Sequence, residues 1–386
     1  MESPEHRAEP SFDATSVRRL PIEFTGSGGE YFRIWIVNML LLLVTLGLYW
    51  PWAKVRRLRY FWGNTLVDGD PLDFHGEPGQ MFKGWALVGV LFLLYNWAGS
   101  VSALADVVAF VALGLLWPAL WRSSMAFRLG NTSWRGLRFR FVGSMREAYA
   151  SLLPLFLVAL PLVLLGLWVP DEPEAPAPDW VGWVFLGVMA LAVCVLPWLL
   201  WRMKAYQHRH YALGPLQTDF RASVRAFYGL VLKPLGLVLL LVGLAVGLVV
   251  VQLGTGLEWP GKEMMGALAI VPLLLVLLVV FGVTPWWTAR LQNLVWTKTG
   301  NSQMRFISRL SFRSMLWLSL KNGLLTAITL GLYWPFAAVA MARLRLEAVH
   351  IRSIVDLESL LAADHQRPAE AAGEAAGDFF GMDVGL

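Results

Sequence analysis

The chain has 386 residues, 57% of them hydrophobic and only 15% charged, with a net charge of +5. Soluble domains carry about 25% charged residues, so this balance excludes an ordinary water-soluble globule and points to a polytopic α-helical membrane protein. The basic residues lie between apolar stretches, where membrane orientation accounts for them, and form no run suited to nucleic acid. Cys194 is the single cysteine, so no intramolecular disulfide is available.

Residues 1–20 read as a flexible polar tail. The first 33 residues lack the basic start, short apolar core and small-residue cleavage site of a signal peptide. The first apolar segment, residues 34–52, is therefore expected to remain as a signal-anchor. It ends in TLGLYWP at 45–51, and the same heptapeptide recurs at 329–335. Between these copies runs a spaced pattern. Pro51, Pro118, Pro197 and Pro285 each close an apolar run beside a Trp, and Pro335 follows Trp334. Arginine comes five residues after Pro at Arg56, Arg202 and Arg290, and four after at Arg122. Tyr60, Phe127 and Tyr206 each stand nine residues past their Pro, and Gly-Asn-Thr stands twelve past at 63–65 and 130–132. Phe74, Phe141 and Phe220 follow at twenty-three, with Phe306 two residues early. Phe24-x-Gly26 and Phe74-x-Gly76 lead to Trp35 and Trp85, and Phe306 leads to Trp317 at the same spacing. The pattern divides a membrane domain at 21–362 into five units: 24–73, 74–140, 141–219, 220–305 and 306–350. Residues 363–386 are Ala/Gly/Glu-rich and read as a disordered tail.

Within a unit, the spacing predicts an apolar helix leaving the membrane at Trp-Pro, with the indole among the headgroups. A short basic extension follows and stops at Gly-Asn-Thr or an equivalent breaker. TLVDGDPLDF reads as a β-hairpin turning at Asp-Gly, SWRGLRFRF and VWTKTGNSQMRF have the same character, and these short strands are expected to pair into a small sheet against the membrane face, with irregular loops as the alternative. The expected fold is an all-α polytopic membrane protein of pseudo-repeated helix pairs with short cytoplasmic β-hairpin linkers. The predicted pairs are 82–95 with 101–121, 152–169 with 181–201, and 227–253 with 264–287. Lys and Arg concentrate in the linkers, which places linkers inside and the short turns, including acidic DEPEAPAPD, outside. The two TLGLYWP segments are single. Six full spans with two re-entrant ends, bent at Thr-Leu-Gly, fit the charge pattern better than eight spans. Gly47 and Gly331 would supply the bend, Thr45 and Thr329 would cap freed backbone, and Trp50-Pro51 and Trp334-Pro335 would set depth.

Asn38, the TLGLYWP core, Pro51-Trp52, the basic run from Lys54 to Arg59, GNTLVDG and Phe74-x-Gly together make the chain resemble the YjgN-type family of bacterial inner-membrane proteins, a domain of unknown function. The resemblance covers about residues 24–350. It implies an inner-membrane location with multiple spans and supplies no catalytic or binding residues. Lys54 and Arg56 correspond to Ala338 and Ala340 in the second copy, so the two ends differ in charge.

GxxxxGK[ST], HExxH, GxSxG and CxxC are absent from the sequence, and neither a cofactor nor catalysis is expected. His208 and His210 are two apart and would diverge on a helix. Asp68, Asp70, Asp73, His75 and Glu77 form the best acidic cluster for a lipid-acting enzyme, the weakest reading. Gly243-x-x-x-Gly247 reads as a helix-packing face. The candidate polar membrane site is Asn38, Thr45, Asn322 and Thr329, with helix–helix hydrogen bonding as the plainer role for the Asn pair. Arg56, Arg57, Arg202 and Arg290 are candidate contacts for anionic lipid headgroups, the expected partners, against a plain topology-setting role. Transport, a channel or lipid handling is the leading expectation, ahead of a membrane scaffold or sensor.

Overall fold

The structure is a computed structural model that describes residues 17–168, 178–255, 274 and 276–354. Expectations placed on residues 1–16, on the acidic loop at 171–177 and on the 363–386 tail fall outside the described residues, as does most of the turn at 254–263.

The chain alternates strands and helices. β1 (Arg18–Phe24) leads to α1 (Gly28–Val44), α2 (Trp50–Gly63) and β2 (Thr65–Val67). β3 (Asp70–Phe74) leads to α3 (Pro78–Val101), α4 (Ala103–Gly130) and β4 (Thr132–Trp134). β5 (Leu137–Phe141) leads to α5 (Met145–Leu165), α6 (Asp179–Arg209) and β6 (Tyr211–Leu213). After β7 (Leu216–Gln217) and β8 (Asp219–Phe220) come α7 (Val224–Thr255), a π-helical turn (Val279–Val283), α8 (Thr284–Thr297) and β9 (Thr299–Gly300). β10 (Met304–Ser308), α9 (Phe312–Ile328), α10 (Trp334–Glu347) and β11 (Val349–Ser353) finish the described chain. Helices dominate, and α3 to α7 contain five stretches long and apolar enough to cross a membrane. The sixth predicted span, 264–287, lies partly outside the described residues.

The linkers correct the all-α expectation. They pair into one eleven-stranded antiparallel sheet in the order β7-β6-β5-β4-β3-β2-β1-β11-β10-β9-β8. The ends of that order, β7 and β8, are separated only by Thr218, so the sheet is nearly a closed barrel. Asn301 helps close the gap: its Nδ2 donates to Gln217 O at 3.0 Å, and its carbonyl accepts from Arg221 Nη2 at 3.1 Å. A lone hairpin of strands this short is marginal in water. Joining the hairpins edge to edge removes their unpaired backbone. Several strands divide their bonds between two neighbours. In β1, Arg18 to Pro21 pair with β11, and Ile22 to Phe24 pair with β2.

Alternation fills the barrel. Leu20, Val67, Trp134, Leu137, Leu213, Leu216 and Ile351 form one buried cluster, with Ile22, Leu72, Phe139, Met304 and Phe306 packed against it. The predicted Asp-Gly turn is present, with φ of 54° at Asp68 and 85° at Gly69, and Arg135-Gly136 makes the same turn with 50° and 82°. These values suit the two-residue hairpin turns that match strand twist.

The helices follow the same cyclic order. α1 packs on α2, α2 on α3, and so on to α10, which returns to α1. At Gly243 and Gly247 an added Cβ would meet nothing within 4 Å, so the expected packing face is unused among the described residues.

Both TLGLYWP segments turn back on themselves. Thr45 ends α1, Leu46 and Gly47 take φ of 50° and 90°, and α2 begins at Trp50. Gly47 N donates to Leu42 O at 2.8 Å and Leu46 N to Leu43 O at 3.3 Å. This is the Schellman pattern, which satisfies the last carbonyls of a helix. Thr45 Oγ1 donates to Leu41 O and accepts from Tyr49 N, closing the turn from both sides. Thr329, Leu330, Gly331 and Tyr333 repeat each contact. Leucine, not only glycine, therefore takes a left-handed conformation here. Leu46 and Leu330 stand 92% and 94% exposed at the two tips. Because β1 pairs with β2 and β10 with β11, each terminal helix pair starts and ends at the sheet. Ser27 is exposed where β1 meets α1. A Ser27→Cys, Cys194→Ala protein is expected to react with an impermeant maleimide only from the cytoplasmic side of membrane vesicles. Labelling from the outer side alone would place the sheet outside.

Candidate functional site

The recurring motifs lie where helices meet the barrel, and backbone capping explains much of their spacing. At the ends of α2 and α4, Asn64 Nδ2 donates to Tyr60 O and Asn131 Nδ2 to Phe127 O, at 2.8 and 2.9 Å. Thr65 and Thr132 hydroxyls donate to Phe61 O and Arg128 O. Gly-Asn-Thr is thus a side-chain cap on the last helical carbonyls. His210 Nδ1 takes the Asn place against Tyr206 O at 2.8 Å, and Thr299 caps α8 through Val295 O.

Phe-x-Gly has an equally local cause. A Cβ on Gly26, Gly76 or Gly143 would lie 2.7, 2.5 or 2.7 Å from the ring of the Phe two residues earlier. The ring folds over the glycine as the strand enters its helix. Tyr60 packs beside Tyr31 and Phe61, and Tyr206 beside Trp121 and Phe141. Tyr60 Oη donates to Ser27 O and Tyr206 Oη to Ser144 O, at 2.7 and 3.0 Å. Seven residues after Phe24, Phe74, Phe141 and Phe220 come Tyr31, Met81, Ala148 and Phe227, all buried. That fixed offset was present in the sequence and missed. Pro51, Pro118, Pro197, Pro285 and Pro335 are fully buried, so these prolines are packing points within the protein.

Asn38 and Asn322 are buried in equivalent places but in separate hairpins. Asn38 Nδ2 lies 3.5 Å from Ala53 O, and Asn322 Nδ2 lies 3.4 Å from Ala337 O. Each reaches the return helix of its own pair, and each Oδ1 is buried with no hydrogen-bond partner. The structure does not bring the two together through any hydrogen bond. Such long contacts hold little energy, and an orphaned buried oxygen costs about 1–3 kcal/mol. The Asn38→Leu and Asn322→Leu proteins are each expected to melt no lower than the parent in detergent. A fall of more than about 2 °C, on the order of 1 kcal/mol or more for a chain of this length, would show that the amide has a partner the hairpin itself does not provide.

The candidate headgroup-binding arginines are placed unequally. Arg56 lies over Tyr49 at 5.6 Å, Arg57 over Trp334 at 5.6 Å, and Arg202 over Trp198 at 5.1 Å. Cation–π contact leaves guanidinium edges available to acceptors. Arg56, Arg57 and Arg290 are exposed, and Arg202 is half-buried. Trp50 carries Lys54 Nζ at 4.8 Å from its ring centre.

The acidic cluster is largely engaged. Asp68 pairs with Arg18 at 2.8 Å and Arg135 at 3.4 Å, and Asp70 also meets Arg135. His75 Nε2 lies 2.7 Å from Ser133 Oγ. His208 is boxed by Tyr211, Phe220 and Trp296, with Nδ1 3.1 Å from Thr299 Oγ1. Thr299 donates its hydroxyl proton to Val295 O, so the ring nitrogen donates to Thr299. His210 Nε2 instead faces Glu147 at 3.4 Å. Among the described residues, no group of three His, Cys, Asp or Glu is placed to hold a metal. An apolar cleft of about 460 Å³ lies at the α3–α4 tip, lined by Leu94, Trp97, Ala98, Leu104 and Val108.

Comparison with known proteins gives a consistent likeness. The family described as "Bacterial protein of unknown function (DUF898)" matches residues 19–379. Inner membrane protein YjgN of Salmonella typhimurium (strain LT2) is 27% identical over 379 residues, covering 90% of this chain and 91% of that protein. Inner membrane protein YjgN of Escherichia coli (strain K12) is 33% identical over 128 residues, covering 32% of this chain and 31% of its own length. No solved structure matches.

Proposed function

We propose, from the premise that the chain belongs to the DUF898 family of bacterial proteins and is an integral inner-membrane protein, that it handles membrane lipid. One observation carries this reading: the described helices pack in one closed ring, yet those of membrane-spanning length keep apolar surface over wide arcs. On α3, consecutive Phe92, Leu93 and Leu94 are 64%, 68% and 53% exposed. Successive helical residues are about 100° apart, so these three cover more than one face. Trp183, Phe185 and Leu186 on α6 are exposed in the same way. Surface of this kind suits acyl chains on more than one side of a helix. Arg56, Arg57, Arg202 and Arg290 would meet the headgroups.

The filled barrel weighs against an aqueous axial channel, because its interior holds packed Leu, Ile, Phe and Trp side chains. A five-unit construction is supported by the recurring strand–helix–helix–strand order, the matching caps and the two like terminal turns. Engagement of Asp68 and Asp70 by arginines supports a non-enzymatic role. A scaffold or sensor is the second reading, favoured by the same solid barrel, and it calls for a stable protein partner at the hairpin tips.

Native mass spectrometry of the protein released from nanodiscs of its own membrane tests the first reading. Phospholipid retained at fixed stoichiometry is the expected result. A bare polypeptide, or one carrying only a protein, would transfer the weight to the scaffold.

A further inference from the structure

The outer face of the barrel carries an arrangement that its own stability does not explain. On β1, Leu20 and Ile22 face the barrel cluster and Phe24 is buried on the same side against the helices, so Arg19, Pro21 and Glu23 lie on the opposite face. Register then aligns three arginines across neighbouring strands: Arg19 opposite Arg352, and Arg352 opposite Arg305. Directly opposed residues have Cα atoms about 4.5–5.5 Å apart, and like charges there are destabilising. His350, two residues from Arg352 on the same face, has its pKa lowered first by burial and then by Arg352, Arg309 and Arg19. Four guanidinium groups thus surround one patch. None of the four forms a salt bridge among the described residues. Arg352 Nε is buried without a hydrogen-bond partner. Other arginines on the sheet have partners: Arg135 and Arg18 pair with aspartates, and Arg140 Nη2 donates to Gly214 O.

The geometry points to a binding site for a phosphoryl anion on the outer face of β1, β11 and β10, built from Arg19, Arg352 and Arg305, with Arg309 at its edge. A row of planar guanidinium forks matches phosphate oxygens in bidentate fashion. A bound anion would offset the mutual repulsion of the opposed guanidinium groups. The row also indicates the source. Arg19 is five residues from Phe24, where the strand enters α1, or about 16 Å at strand rise. The row therefore lies at the end of the barrel away from the helices, on the side to which linker charge assigns the cytoplasm. That position suits a soluble compound with two adjacent phosphoryl groups better than a bilayer headgroup. The site is independent of lipid contact in the membrane and stands whether or not that reading holds.

The test uses the full chain in nanodiscs of phosphatidylcholine, with inorganic pyrophosphate as probe, in calorimetric titration at about 0.15 M salt, where long-range attraction is screened. Saturable binding at one site per chain is expected. Arg352→Gln should weaken it on the order of tenfold or more, the worth of a charge-assisted hydrogen bond. Arg138→Gln, an outward arginine on β5, should leave it unchanged. Without ligand, Arg352→Gln should melt no lower than the parent, since it removes a like charge. If that variant misfolds, Arg305→Gln is read in its place. Absence of saturable binding, or equal weakening by Arg138→Gln, overturns the site. Repeating the titration with phosphatidylglycerol in the nanodisc separates the sources. Unchanged affinity supports a soluble ligand, whereas affinity that falls as phosphatidylglycerol rises overturns the soluble source and gives the row to headgroups.

Discussion

Truncating Trp134 to alanine is expected to destabilise the protein by about 3–5 kcal/mol, the range for deleting a large buried aromatic. Trp134 is 4% exposed at the centre of the barrel. It lies among Val67, Leu137, Leu213 and Ile351, which arrive from four other strands. Its Nε1 donates to Val67 O at 3.2 Å, and Arg135 lies over its ring at 4.9 Å. Collapse around the gap would require strands to approach one another, but their spacing is held by backbone pairing all round the ring. Most of the cavity should therefore persist. The matched control is Trp317→Ala, since Trp317 is 71% exposed on α9. That change should fall within about 0.5 kcal/mol. Thermal melting followed by size-exclusion of the detergent-solubilised chain separates the two. Equal shifts would mean that the barrel is not packed as described.

Gly300→Ala should be nearly as damaging, for a backbone reason. Gly300 has φ of +142°, and a Cβ there would lie 2.5 Å from Met304 O and 2.8 Å from Arg305 Cα. Both obstacles are main chain, so no rotamer change relieves them. The conformation itself belongs essentially to glycine, and such strain costs of order 1–3 kcal/mol before any clash is counted. Gly300 is also the residue through which β9 pairs with β10, and it pairs with Asp219 of β8. Its displacement would loosen the ring beside the seam at Thr218. Gly136→Ala is the informative comparison. Its φ is +82°, but a Cβ there would meet nothing within 4 Å. It should lose only the conformational share, about 1–2 kcal/mol. The difference between the two melting shifts measures the steric part, and a Gly300→Ala protein as stable as Gly136→Ala would refute the tight β9–β10 crossing.

Much of this architecture was legible from sequence where its causes are local. Apolar length marked the helix pairs, Asp-Gly marked a hairpin, and TLGLYWP marked two turned-back ends. Gly-Asn-Thr and Phe-x-Gly were visible as spacings, although their work as carbonyl cap and ring seat needed coordinates. That the hairpins could share a small sheet was legible, but its closure into one eleven-stranded ring was not. Strands of two to five residues, such as Leu216–Gln217 and Thr299–Gly300, carry too little alternation to announce a partner. Their pairing is decided by distant hairpins. Sequence reading assigned Trp-Pro to the end of an apolar run, and packing adds that each proline ring faces protein. Sequence singled out Asn38 and Asn322 as an equivalent pair, but could not say that each turns to its own return helix.

Closure of the ring also orders the birth of the molecule. β1 emerges from the ribosome first among the strands, and its partner β11 emerges last. Until residues 349–353 have been made, the first strand has one bare edge, and the membrane helices must be inserted before the barrel can lock. Arg343, which donates to the carbonyls of Phe24 and Gly26, spans the same interval. The chain accordingly has a late, single committing step. A break moved to Thr218, at the unpaired seam between β7 and β8, with a bridge joining β11 to β1, would preserve every pairing while abolishing that wait. Such a permuted gene should yield the same fold along a different assembly route.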